Sequence, residues 1–188
     1  MNVYDFDNTI YNGESSVHFF FYCIKHKFAL IRFIPLIITK LVKYKLCLIS
    51  EEELTKYVEK YASDFFFHFE NLDELVSEFW DKHMKNIKDF YLKQKQPDDV
   101  ILSASFSFLL EDVASRLGVN NLACSVLDKE TKKITRLCYK ENKVEIFKSL
   151  YPKCDDITFY TDSMNDKAMI DFAKHAYFVK GNEIKRIK

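Results

Sequence analysis

The sequence predicts an α/β domain, a parallel sheet covered by helices on both faces, and three observations carry that prediction. After Pro97, short apolar stretches alternate with amphipathic ones, the texture of consecutive βα units. Residues 2–6 read as a further strand, cut off from the others by a long helical stretch. Several apolar stretches also end in short polar runs, and in an open parallel sheet the carboxyl ends of the strands are where ligands bind.

Each element follows from a local signal. The first strand, NVYDF, is followed by the polar run Asn8 to Ser16, which turns the chain away from it. From Val17 to Lys95 the pattern is helical almost throughout. Ser50 with Glu53 and Asn71 with Glu74 have capping-box spacing, which places helix starts near Glu51 and Leu72. Leu72, Leu75, Val76, Phe79, His83 and Ile87 keep a helical stride.

Val100 to Ala104 reads as a strand, Phe108 to Leu117 as a helix closed by Gly118, and Asn121 to Val126 as the next strand. Lys133 to Cys138 suggests a strand or hairpin arm. Asn142 to Tyr151 is a helix stopped by Pro152, Ile157 to Thr161 a strand, Asp166 to Lys174 a helix, and Ala176 to Val179 a last strand. The expected layout is one core, residues 1–13 and 97–188, with an all-helical insertion over 14–96.

Composition narrows the function classes. A chain of 188 residues can bury one sizeable core. Lys+Arg and Asp+Glu both number 28, so the balance offers no case for a nucleic-acid partner. The five cysteines are widely spaced and lack CxxC pairs, as expected for reduced thiols in a cytoplasmic protein. With the first strand starting almost at Met1, no signal peptide is expected before it. Phe28 to Ile49 is apolar but broken by Arg32, Pro35, Lys40, Lys43 and Lys45, short of the roughly 18 uncharged residues of a spanning helix. With only three glycines, glycine-rich phosphate loops are absent. The five histidines form no HxH or HExxH pattern and read as structural or exposed, and Phe65, Phe66, Phe67 and Phe69 read as core of the insertion.

The chemistry is concentrated in four stretches: DFDNT at Asp5 to Thr9, ILSAS at Ile101 to Ser105, the helix start around Lys143, and YTDSMND at Tyr160 to Asp166. Asp5 and Asp7 stand two apart at a strand end, and so begin with the same orientation. Two carboxylates that close share a cation, a proton or a phosphoryl group. Left without a partner there, they would be costly. Taken alone, Ser103 reads as a turn residue and Lys143 as a surface lysine, although a lysine in a first helical turn opposes the helix dipole.

In this order the four stretches resemble the motifs of the haloacid dehalogenase-like superfamily of aspartate-nucleophile phosphatases, over the whole chain. The branch they resemble most is the phosphoserine-phosphatase-like one, which includes phosphatidylglycerophosphatases of similar size. The resemblance implies a Rossmann-like three-layer core with strand order 3-2-1-4-5 and a helical cap inserted after the first motif. It implies Asp5 as the nucleophile and Asp7 as the general acid and base, whose carboxylate favours phosphoryl transfer over dehalogenation. It also implies Mg²⁺ on Asp5, the Asp7 carbonyl and Asp162, with Asp166 acting through water or by orienting Lys143. Thr9, Ser103, Ala104 and Lys143 would surround the phosphate. A phosphotransferase and a catalytically silent binding protein on the same fold are the rivals.

Two positions depart from the family pattern: Asn8 and Thr161 stand where glycine is common. Asn tolerates a left-handed turn better than most residues. Finally, no acidic residue lies between Glu14 and Glu51, while Lys25, Lys27, Arg32, Lys40, Lys43 and Lys45 do. That segment is either an ordinary cap helix or a face toward an anionic membrane, which leaves the substrate as a small phosphorylated metabolite or a phospholipid headgroup phosphate.

Overall fold

The computed structural model describes residues 1–45, 48, 50, 52, 53, 56, 57, 59–61, 69–128, 130, 131 and 133–188. Its centre is a seven-stranded sheet made of β1 (Asn2–Tyr4), β2 (Val100–Phe106), β3 (Asn121–Leu127), β4 (Ile134–Arg136), β5 (Thr158–Thr161), β6 (His175–Lys180) and β7 (Glu183–Arg186). The order across the sheet is β4-β3-β2-β1-β5-β6-β7. The five inner strands are parallel and β4 and β7 pair antiparallel at the two edges. Numbered among themselves, the parallel strands run 3-2-1-4-5, as expected from the sequence.

Helices cover both faces. On one side α1 (Ser15–His26), α3 (Leu72–His83), α4 (Asp89–Gln94) and α5 (Ser107–Leu117) share a core with Tyr4, Phe6 and Ile101. On the other, α6 (Glu141–Leu150) and α7 (Lys167–Phe172) pack Phe147, Met169 and Ile170 on Val3, Val100, Leu102 and Phe159. Strands buried on both faces explain why their sequences are continuously apolar rather than alternating. A further helix, α2 (Ile34–Lys45), follows a 3₁₀ segment at Phe28–Phe33.

Aromatic packing ties the segment between β1 and β2 to the sheet. Trp80 is fully buried and donates its indole N–H to the Leu109 carbonyl at 2.7 Å. Tyr4 meets Tyr91 edge-on at 4.9 Å and stacks on Tyr160 at 4.4 Å, which stacks in turn on Tyr177 at 5.1 Å. Tyr4, Tyr160 and Tyr177 are register partners on β1, β5 and β6, so their rings form a cross-strand ladder.

Both capping boxes are in place. Asn71 accepts from the Glu74 N–H, and Ser50 and Glu53 exchange bonds of 3.0 and 3.1 Å. The rest of the helix expected near Glu51 falls largely, and Cys47, Phe65, Phe66, Phe67 and His68 wholly, outside the described residues. The four other cysteines are free. Burial pushes the thiols of Cys23, Cys124 and Cys138 up to about 12, so they behave as small apolar groups. Among the described residues, no helix is long and apolar enough to cross a membrane.

Three details differ from the sequence reading. The helical stride through Ile87 stops at His83; a 3₁₀ turn at Met84–Asn86 follows, and Ile87 bridges to Tyr11 in extended conformation. β2 runs on to Phe106, with a register shift against β3 between Ser103 and Phe106. The chain also does not end its sheet at β6. Gly181, with φ of 61°, turns it into a hairpin that pairs Lys180 with Glu183 and adds β7.

Candidate active site

The register of the sheet assembles the site. Tyr4 of β1 pairs with Tyr160 of β5, so Asp5 and Asp162 emerge from the carboxyl ends of adjacent strands. The Asp5 N–H extends the ladder to the Tyr160 carbonyl at 2.9 Å. β2 flanks β1 on the other side and brings Ser103 and Ser105 to the same end.

Lys143, in the first turn of α6, crosses to this point although it lies far along the chain. Its Nζ sits 2.8 Å from Asp5 Oδ1 and 2.8 Å from Asp166 Oδ1. Lys143 is 3% exposed, Asp166 4% and Asp5 8%, so the array is almost free of solvent. Thr161 completes it, donating its hydroxyl to Asp166 Oδ2 at 2.8 Å. A hydroxyl therefore stands where a glycine was expected, and it holds the outer carboxylate.

Burial pushes the Asp5 carboxyl up to about 7, against the pull of Lys143 and with Asp166 adding to the rise. Burial alone would lower the Lys143 ammonium, but Asp5 and Asp166 more than reverse this and hold it charged.

Asp7 is oriented by two donors. Its Oδ1 accepts the Ser15 N–H at the start of α1, and its Oδ2 accepts the Ser105 hydroxyl, each at 2.6 Å. Ser105 also meets Ser16 Oγ at 2.9 Å, and its own N–H donates to Ser103 Oγ at 3.1 Å. Ser103 is buried behind this chain, and Ala104 stands exposed at the end of β2.

The loop after Asp7 turns at Asn8, whose φ of 56° is left-handed. The asparagine at this position adopts the conformation a glycine would supply. Thr9, fully buried, then reaches across to β5. Its Oγ1 accepts the Asp162 N–H at 2.9 Å and donates to Asp162 Oδ1 at 3.4 Å. Burial raises the Asp162 carboxyl, with Lys88 and Thr9 among the groups opposing the rise.

All eight residues singled out from the sequence thus lie at one end of the sheet. Asp5, Lys143 and Asp166 are joined by ion pairs, and Thr9 is joined to Asp162 by hydrogen bonds. Sequence reasoning passed over Ser105, Ser15 and Lys88. Ser105 was within reach, since it shares the alternation of Ser103. Ser15 and Lys88 carry no local signal, because each acts through a long-range contact. Two histidines have structural partners, His18 on the Tyr11 hydroxyl and His83 on the Phe79 carbonyl.

The donor set suits a hard divalent cation. Four carboxylates (Asp5, Asp7, Asp162 and Asp166) outnumber two ammonium groups, Lys143 and Lys88, at this end of the sheet, which leaves an excess of negative charge and carboxylate oxygens there. Among the described residues, no three His, Cys, Asp or Glu side chains converge as a metal cluster. The set the resemblance implies, Asp5 and Asp162 with the Asp7 carbonyl, follows the carboxyl ends of the adjacent strands β1 and β5.

Comparison with solved structures finds the same fold in distant proteins. A protein of unknown function from Bordetella pertussis Tohama I superposes with a TM-score of 0.78 at 14% identity, over 94% of this chain and 87% of its own. A phosphoserine phosphohydrolase-like protein from Francisella tularensis gives 0.56 at 16% identity, over 93% and 84%. A substrate-bound phosphoserine phosphatase gives 0.52 at 17%, over 93% and 83%. A search of curated proteins finds no match. The sequence pattern of the haloacid dehalogenase-like hydrolases matches residues 3–171, a span that holds Asp5, Asp7, Ser103, Lys143, Asp162 and Asp166 in order, and the chain belongs to that family.

Proposed function

We propose that the protein is a Mg²⁺-dependent phosphatase that hydrolyses a phosphate monoester through an aspartyl-phosphate on Asp5. The observation that carries this reading is the buried Asp5–Lys143–Asp166 array with Asp7 oriented beside it.

Asp5 attacks phosphorus in line. The bond from its carboxylate oxygen to phosphorus forms as the ester bond breaks, and Asp7 gives a proton to the departing alkoxide. Asp7 then takes a proton from the water that attacks the aspartyl-phosphate. Inorganic phosphate leaves and the Asp5 carboxylate is restored. Lys143 offsets charge on the phosphoryl oxygens, Ser103 donates to one of them, and Thr9 and Ala104 line the same position. Asp166 shares the Lys143 ammonium with Asp5 and so fixes its position beside the nucleophile. Asp5, Asp162 and the Asp7 carbonyl would hold Mg²⁺, which neutralises charge between an anionic nucleophile and an anionic substrate.

The substrate is a small phosphorylated metabolite or a phospholipid headgroup phosphate, selected by a helical cap within residues 14–96. Phosphatases among the similar folds favour hydrolysis over transfer to an alcohol. The place of action is the cytoplasm, with a peripheral membrane contact if the substrate is a lipid.

Hydrolysis of an aryl phosphate by purified protein tests the reading. Activity should vanish in excess chelator, return with Mg²⁺ but not with the larger Ca²⁺, and be absent from Asp5→Asn. Near-normal turnover by Asp5→Asn would remove the covalent route.

A further inference from the structure

Lysine is among the residues least often buried, because its charge must be paired once water is removed. Lys88 is nevertheless only 7% exposed, and the reaction above leaves it without a task. It lies between the 3₁₀ turn at Met84–Asn86 and α4. Its main-chain N–H donates to the Ile10 carbonyl at 2.8 Å, and its Nζ donates to the Asn8 carbonyl.

These contacts grip the loop that follows Asp7. Asn8 stands in the left-handed region, where an L side chain needs support from its surroundings. Lys88 holds the carbonyls on either side of Thr9, while Asp162 holds the Thr9 hydroxyl from β5. The loop is therefore clamped between an ammonium and a carboxylate. The two charges thus grip the same short loop from two sides, near enough that burial lowers the Lys88 ammonium and Asp162 opposes that fall.

We propose that Lys88 is a positioning residue with two opposed effects: it fixes the loop that sets Asp7, and its charge competes with a divalent cation for Asp162. This rests on the phosphatase reading, with Asp162 as a metal ligand. A neutral side chain at this position removes the competing charge and the grip on Asn8 together. Metal then binds more tightly while turnover slows. A residue that merely supported the fold would weaken both when replaced.

The experiment is Mg²⁺ binding by titration calorimetry without substrate, paired with kcat on an aryl phosphate at saturating Mg²⁺. Lys88→Met should bind Mg²⁺ about tenfold more tightly and turn over at least about tenfold more slowly. Lys88→Gln, neutral but still a donor toward Asn8, should share the tighter binding and lose less turnover; it also serves as the test if the methionine variant does not fold. Unchanged or weaker Mg²⁺ binding in a folded neutral variant, or unchanged turnover in Lys88→Met, overturns the role of Lys88. Wild-type protein that binds no Mg²⁺ and cleaves no phosphate ester overturns the phosphatase reading and this role with it.

Discussion

Replacing Asp5 by asparagine should abolish turnover and, in metal-free protein, make the fold more stable. Asp5 is 8% exposed, and burial pushes its carboxyl from an ordinary 3.8 up to about 7. A rise of that size corresponds to at most about 4 kcal/mol of native-state destabilisation once the group is fully ionised. The sign follows from linkage: a carboxyl whose folded value lies above its unfolded one keeps its stabilising contribution below about 4 and loses it as pH climbs through 7. Asparagine removes that loss. The raised value of about 7 already contains the pull of the charge-assisted bond from Lys143 at 2.8 Å, part of which an amide oxygen retains while Asp166 continues to pair the ammonium. The net expectation is a gain of up to about 4 kcal/mol at pH 8, seen as a rise in Tm of several degrees for a domain of this size. Thermal unfolding in chelator at pH 5, 6, 7 and 8 provides the assay, and the gap between variant and wild type should widen with pH and level off above 7. A variant less stable than wild type at pH 8, or a gap that narrows with pH, would refute the reasoning.

Two other outcomes are expected. Asp7→Asn should slow an alkyl phosphate by about 10²–10⁴ and an activated aryl phosphate far less, since only the former needs a proton on its leaving oxygen; Ser105→Ala should show the same selectivity more weakly, and equal losses on both esters would reassign Asp7 to a structural role. Phe28 is 74% exposed, Phe21 50% and Ile31 43%, beside exposed Lys25, Lys27 and Arg32, so the protein should co-sediment with anionic vesicles at low salt and release at high salt. Failure to bind, with a preference for phosphoserine over a lipid phosphate, would place the substrate among soluble metabolites.

What was legible in the sequence was whatever rests on local spacing. The spacing of Asp5 and Asp7 at the end of a short apolar run announced a site before any fold was known, although the strand itself ends at Tyr4 and both carboxylates lie just beyond it. The parallel sheet followed from βα alternation, and its strand order from the resemblance. The turn at Asn8 was legible too, since few residues other than glycine accept a φ of 56°. By contrast, β7 was missed although Gly181–Asn182 between two pairing residues is a two-residue hairpin signal. The end of α3 was missed because Ile87 fits a helical stride while its partner, Tyr11, lies far away in sequence. Periodicity reports which residues are buried, not which element buries them.

Lys143 shows how a local misfit can point to a distant partner. A cation in the first turn of a helix faces the positive end of the dipole, and α6 also begins after Lys140, whose φ of 48° is itself left-handed. Neither feature favours this helix on its own. Asp5 from β1 and Asp166 from the turn after β5 reverse the balance, each 2.8 Å from the ammonium, and Thr161 prevents Asp166 from turning away. The two carboxylates are not equivalent, however. Asp166 is fastened at both oxygens, by Lys143 and by Thr161, whereas Asp5 has one oxygen on Lys143 and stands at the more exposed end of the array. Of the two, Asp5 is the carboxylate with an oxygen left to react, and the proposed roles of Asp5 as nucleophile and Asp166 as support rest on that asymmetry.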